Sequence, residues 1–100
     1  MSAYVCILEV RLHINESGSL KSKRKVVSSL KAQIKQRFGA SVAEVGGQDT
    51  WQRSTIVCAL VGGAADVGDR ADGLERFVES RVPEGCSFER DLLSLEDIRG

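Results

Sequence analysis

Residues 4–14 alternate between apolar and polar positions: Tyr4, Cys6, Leu8, Val10, Leu12 and Ile14 form one face, with Glu9, Arg11 and His13 on the other. A period of two with one apolar face predicts a half-buried strand. The pattern then changes. Asn15 to Gly18 reads as a turn, Ser19 has the side chain of a good N-cap, and from Leu20 the apolar positions recur at helical spacing. Leu20, Val27, Leu30, Ile34 and Phe38 share one side of this helix, and Gly39 supplies the left-handed residue that ends it.

Ser41 to Val45 reads as a short strand, followed by the turn formers Gly46, Gly47, Gln48 and Asp49. Trp51 to Val61 is a long strand, apolar on both faces, with Ile56, Cys58 and Leu60 toward the core. Asp66 is the expected cap of a second helix whose apolar face is Val67, Ala71, Leu74, Val78 and Val82. Pro83-Glu84-Gly85 breaks that helix, and Cys86 to Leu95 contains a last strand whose register the pattern leaves open. The order predicts one α+β domain over residues 1–100. It is a ferredoxin-like β-α-β-β-α-β sandwich, an antiparallel sheet with two helices on one face. Val5, Ile7, Glu9, Val57, Ala59 and Val61 then fall on the other face, as an apolar patch for a partner or homodimer contact or as a covered surface.

Charge changes the picture more than composition does. Formal net charge is zero, with 14 basic and 14 acidic residues, yet residues 21–43 contain positive charges alone. Lys21, Lys23, Arg24 and Lys25 crowd the opening of the helix, and Lys31 follows. A helix N-terminus carries about half a positive charge, so cations there work against the local field. The arrangement points to an anion site, with Lys35 continuing the basic side and Arg37 in the last turn, where a cation is favourable. A solvated helix face is the plainer reading of the same residues.

The expected topology brings the helix start and the hairpin between strands two and three to the same end of the sheet. Lys21, Lys23, Arg24 and Lys25 should therefore stand near Gln48, Asp49, Trp51, Gln52 and Arg53, with the Pro83-Glu84-Gly85 turn close by. A Trp beside amide and guanidinium groups suits an unpaired base and its phosphate, or a protein hot spot, or simple closure of the core. The base-stacking aromatics of RNA-recognition modules are missing from the middle strands.

Enzyme chemistry finds little support, and no small-molecule substrate or cofactor is implied. His13 has no nucleophile motif beside it, Gly62-Gly63 lacks the pattern of a phosphate loop, and the Gly-rich loop of acylphosphatases has no counterpart after the first strand. Cys6, Cys58 and Cys86 are odd in number and widely spaced, so they read as buried thiols in a reducing compartment and not as metal ligands. No signal peptide or membrane span is legible, and the expected location is cytoplasmic.

Three blocks, Ser19-Leu20-Lys21-Ser22-Lys23-Arg24, Phe38 to Val45, and Gln48-Asp49-Thr50-Trp51-Gln52-Arg53, resemble the YlxP-like family of small bacterial proteins with a domain of unknown function. The resemblance implies a ferredoxin-like fold. It also implies an association with translation, because genes of such proteins often neighbour those of initiation and ribosome-maturation factors. The expected function is a non-catalytic factor that binds RNA or the small ribosomal subunit. Lys21, Lys23, Arg24, Lys25, Lys31 and Lys35 would hold phosphates, while Gln48, Trp51, Gln52 and Arg53 add shape or base contacts. The alternative is a protein-interaction module or homodimer using the open sheet face, its basic helix meeting an acidic partner. On the first reading, changing Lys21, Lys23 and Arg24 to Glu should abolish binding and leave the fold intact.

Overall fold

A computed structural model describes residues 2–14, 19–47, 52–82 and 85–100, with the backbone alone at Leu20. The chain runs through β1 (Tyr4–His13), α1 (Leu20–Phe38), β2 (Ser41–Gly46), β3 (Arg53–Gly62), α2 (Ala64–Arg81), β4 (Cys86–Ser94) and α3 (Leu95–Arg99). The strands form one antiparallel sheet in the order β2-β3-β1-β4, with α1 and α2 packed over one face. This is the ferredoxin-like α+β arrangement expected from the pattern.

Alternation along β1 decides which side is buried. Cys6, Leu8, Val10 and Leu12 are buried beneath the helices, opposite Leu60, Cys58, Ile56 and Ser54 of β3. Val27, Leu30 and Ile34 of α1 and Val67, Ala71, Leu74, Phe77 and Val78 of α2 complete the same core. Each fully buried aliphatic side chain contributes roughly 1.5–3 kcal/mol relative to exposure.

Both ends of α1 are closed by local chemistry. Ser19 Oγ accepts the Ser22 amide at 3.1 Å, and Gly39 turns left-handed at φ 63°. The guanidinium of Arg70, from α2, donates to Phe38 O at 2.6 and 3.0 Å and to Gly39 O at 3.3 Å. It also reaches Val61 O and Asp66, so one side chain ties α2 to the end of α1 and the end of β3. Replacing Arg70 with Ala is expected to cost roughly 1.5–3 kcal/mol, read as a lower urea midpoint with an unchanged slope.

The second helix starts earlier than expected. Gly63 is its N-cap and gives no side-chain hydrogen bond, while Asp66 sits in the first turn. Ala64 and Ala65 are strong helix formers and extend the helix by nearly a turn. Asp66 there complements the dipole and pairs with Arg70 at 3.0 Å. The register of β4 places Phe88 opposite Val10 and Arg90 opposite Leu8, on the helix side of the sheet. Arg90 is held there by Asp72 at 3.0 Å and Glu75 at 2.7 Å of α2. A short helix, α3, follows. It begins with a capping box between Ser94 and Asp97.

All three cysteines are free thiols, and Cys6 and Cys58 lie in the core. Burial, and to a lesser degree Cys6, pushes the Cys58 thiol from its ordinary 9.0 up to about 11. Folding therefore holds that proton more tightly than the unfolded chain does. The stability linked to it is intact below about pH 9 and is lost as pH rises through about 11. Urea midpoints measured between these pH values should fall less steeply for Cys58→Ala than for the parent.

β2 is a six-residue edge strand whose register against β3 shifts between Glu44 and Gly46. Gly47 follows at φ 78°, where an added Cβ would lie 2.6 Å from Arg53 O. Glycine is required there by both conformation and space.

Candidate functional site

The end of the sheet at which β1 finishes and β3 and β4 begin gathers the start of α1, the exit of β2 and the end of α2. Ile14 N donates to Gln52 O at 2.7 Å and His13 N to Gly85 O at 2.8 Å, joining the separate segments. Of the expected meeting of helix start and hairpin, the described residues show one contact, that of Lys23 with the backbone of Gly47 and Arg53. Gln48, Asp49 and Trp51 lie outside the described residues, as do Pro83 and Glu84.

Lys23 does not face solvent. Its side chain is 0% exposed, and its ammonium donates to Gly47 O at 2.6 Å and Arg53 O at 3.2 Å. Glu44 Oε2 stands 4.0 Å away, and that carboxylate is itself only 5% exposed. The other Glu44 oxygen accepts from Arg24 at 3.0 Å, and Ser54 Oγ donates to Oε2 at 2.8 Å. Among the described residues no buried side-chain nitrogen or oxygen is left without a hydrogen-bond partner. Lys23 is consequently not a phosphate contact, contrary to the expectation from its charge. It fastens the first turn of α1 to both strands of the β2–β3 hairpin. Changing it to Glu would also set a carboxylate against two carbonyls and Glu44, so the triple Glu variant cannot leave the fold intact.

Spacing held the clue. Leu20, Val27, Leu30 and Ile34 leave one vacancy in an i, i+3, i+4 stripe, and Lys23 fills it. Glu44 is the acid that makes the burial tolerable, and nothing local in the sequence marks it as the partner.

The remaining basic residues of α1 lie differently. Lys21, Lys25 and Lys35 are exposed and Lys31 is partly so. Among the described residues none of the four makes an ion pair. Lys21, Arg24, Lys25 and Lys31 line an open groove of about 660 Å³, with Ser28 between them and Glu44 at its wall. Arg24 is half exposed, so one side of its guanidinium meets Glu44 while the rest faces the groove. Arg37, on another side of the helix, lies over the Phe77 ring at 4.7 Å, and Arg81 lies over it at 5.0 Å. Arg37 has the structural role expected of it.

Arg53 and Gln52 separate from the Lys21 group. The Arg53 backbone carbonyl receives Lys23, yet its exposed side chain lies on the opposite face, paired across strands with His13. An open cavity of about 420 Å³ on that face is lined by Arg11, His13, Arg53, Thr55 and Ser87, with Gly85 at one edge. Arg11 is engaged by Glu9 at 2.7 Å and by Glu89 at 3.7 Å. Among the described residues neither His13 nor Arg53 has an acidic partner. Gln52 is partly buried, and its backbone carbonyl accepts from Ile14 N.

A family model described as "Protein of unknown function (DUF503)" matches residues 5–86, which include the helix start, Glu44 and the whole β2–β3 hairpin. The chain belongs to that family. It is 42% identical over 48 residues to "Uncharacterized protein YlxP" of Bacillus subtilis (strain 168), an alignment covering 48% of this chain and 52% of the relative. The match thus spans about half of that curated relative's length, and the YlxP-like resemblance holds. The fold is similar to that of the de novo designed protein Foldit4, with a TM-score of 0.57, 10% identity, and coverage of 91% of this chain and 96% of the design. At that identity the likeness concerns architecture alone. No helix among the described residues is long and apolar enough to cross a membrane.

Proposed function

We propose that the chain is a cytoplasmic, non-catalytic factor that binds RNA, acting on the small ribosomal subunit in its maturation or in translation. The observation that carries this reading is the row of Lys21, Lys25, Lys31 and Lys35 along one flank of α1, without acidic partners among the described residues. Flexible ammonium groups on a convex helix suit phosphates, which lie at the surface of folded RNA and need no deep pocket. Arg24 adds a planar donor whose orientation Glu44 fixes. The translation setting implied by the family resemblance gives the direction toward ribosomal RNA.

The test is co-sedimentation with small ribosomal subunits over a range of salt. Binding through phosphates should weaken steeply, and exchanging Lys21, Lys25 and Lys31 for Glu should abolish it. Unchanged binding by that variant would overturn the reading.

A second reading is favoured by the far end of the open face. Val61, Val5 and Leu93 form a cross-strand row there, and Val61 is 64% and Leu93 41% exposed. Exposed Leu95 and Ile98 of α3 follow it in the chain. Such a patch suits a protein partner or a homodimer, whose stability would respond little to salt.

A further inference from the structure

The open face of the sheet is graded along the strands. Its far row is Val61, Val5 and Leu93, the middle row holds Val57, Glu9 and Glu89, and the near end is Thr55, Arg11 and Ser87, then Arg53 and His13. Of these rows only the near end carries cations, and there this face forms the 420 Å³ cavity. The Arg53 guanidinium, the His13 imidazole and the hydroxyls of Thr55 and Ser87 are of the types that hold phosphates, while the Arg11 guanidinium is engaged by Glu9 and Glu89.

The cavity lies behind the strand that Lys23 grips, and it shares no lining residue with the lysine groove on the helix side. The Arg53 carbonyl is held from the helix side by Lys23 at 3.2 Å, while the Arg53 side chain serves the other face. A single layer of strand therefore separates the α1 side of the sheet end from the cavity. We propose that this cavity is a second phosphate subsite, in which His13 and Arg53 bind the backbone of the RNA. The inference rests on the RNA reading above and extends it from one helix to both faces of the sheet end. Arg11, restrained by Glu9 and Glu89, forms the wall, and Thr55 and Ser87 offer hydroxyls on the strands either side of it. Glu9 and Glu89 bound the subsite and turn the RNA away from the middle of the sheet.

The test compares the parent, His13→Gln/Arg53→Gln and Lys21→Glu/Lys25→Glu/Lys31→Glu. Fluorescein-labelled poly(U) reports affinity against salt, and inorganic phosphate titrated into isotope-labelled protein reports on the cavity by NMR. His13 and Arg53 are exposed at strand ends, so the double Gln variant should melt as the parent does. Phosphate is expected to shift the His13 and Arg53 signals saturably in the parent. The double variant should bind poly(U) about tenfold more weakly at low salt. It should also have a shallower log–log salt slope, by about 0.7 for each phosphate released. A parent that binds poly(U), with a double variant of equal affinity and slope, would overturn this subsite and spare the RNA reading. A parent that binds neither poly(U) nor small subunits would overturn both. Phosphate shifts confined to Lys21, Lys25 and Lys31 would likewise refute the cavity.

Discussion

Lys23→Met is expected to destabilise the protein by about 3–5 kcal/mol, enough to remove most of the stability of a domain this small. Methionine matches the length and volume of the lysine stem, so cavity formation contributes little. The loss comes from the groups left behind. Gly47 O and Arg53 O lose the donor that reaches them at 2.6 and 3.2 Å, and the nearly buried Glu44 loses a cation 4.0 Å away. Arg24 remains as a counter-charge to Glu44 but lies half in solvent, where an ion pair contributes about 0–1 kcal/mol. Urea denaturation of Lys23→Met beside Arg24→Met would check this. A deep loss in the first and a shift under about 1 kcal/mol in the second is the expected contrast. Equal shifts would show that the buried ammonium is not what holds the hairpin.

The other large effect concerns binding. Exchanging Lys21, Lys25 and Lys31 for Glu reverses three charges along the groove and touches no core side chain. Thermal stability should hold or rise slightly, because Lys21→Glu places a carboxylate in the first turn of α1, where the helix dipole favours an anion. Affinity for small ribosomal subunits should fall by orders of magnitude at low salt, and the log–log salt slope should lose about 0.7 for each phosphate no longer neutralised. The combination is diagnostic. A surface that served only solubility would gain stability in the same way and lose no binding. The sedimentation assay separates the two cases directly.

The architecture was legible because period and punctuation agreed. Strict alternation marked β1, Ser19 and Gly39 bracketed α1, and the order of elements left one common topology. The short helix α3 also had its signal, the Ser94-x-x-Asp97 spacing of a capping box, at the end of the segment read as strand and just beyond it. β4 resisted for a physical reason. Arg90 interrupts the apolar positions on the helix side because Asp72 and Glu75 wait for it on α2, and such long-range pairing leaves no trace in local periodicity. Arg70 is similar, since its acceptors at Phe38 lie 32 residues away.

The basic segment was legible as a cluster of charge, but its division was not. One lysine turns inward because it stands in the apolar stripe, while its neighbours turn outward, and charge counting treats them alike. The dipole argument loses Lys23 as evidence for an anion and keeps Lys21 and Lys25. Arg53 belonged with the hairpin by sequence, yet strand alternation carries its side chain to the other face, and only the register shows that His13 and Arg11 stand beside it there.

The slip of register between Glu44 and Gly46 has a bearing on self-association. A sheet with two open margins invites further strands to add on, and flat, regular margins invite them most. Here one margin is six residues long and distorted before its end, and the other presents Glu89, Arg90 and Asp91 in succession. An incoming strand meets irregular spacing on one side and a charge barrier on the other, and both obstacles to fibrous accretion are built into the margins themselves.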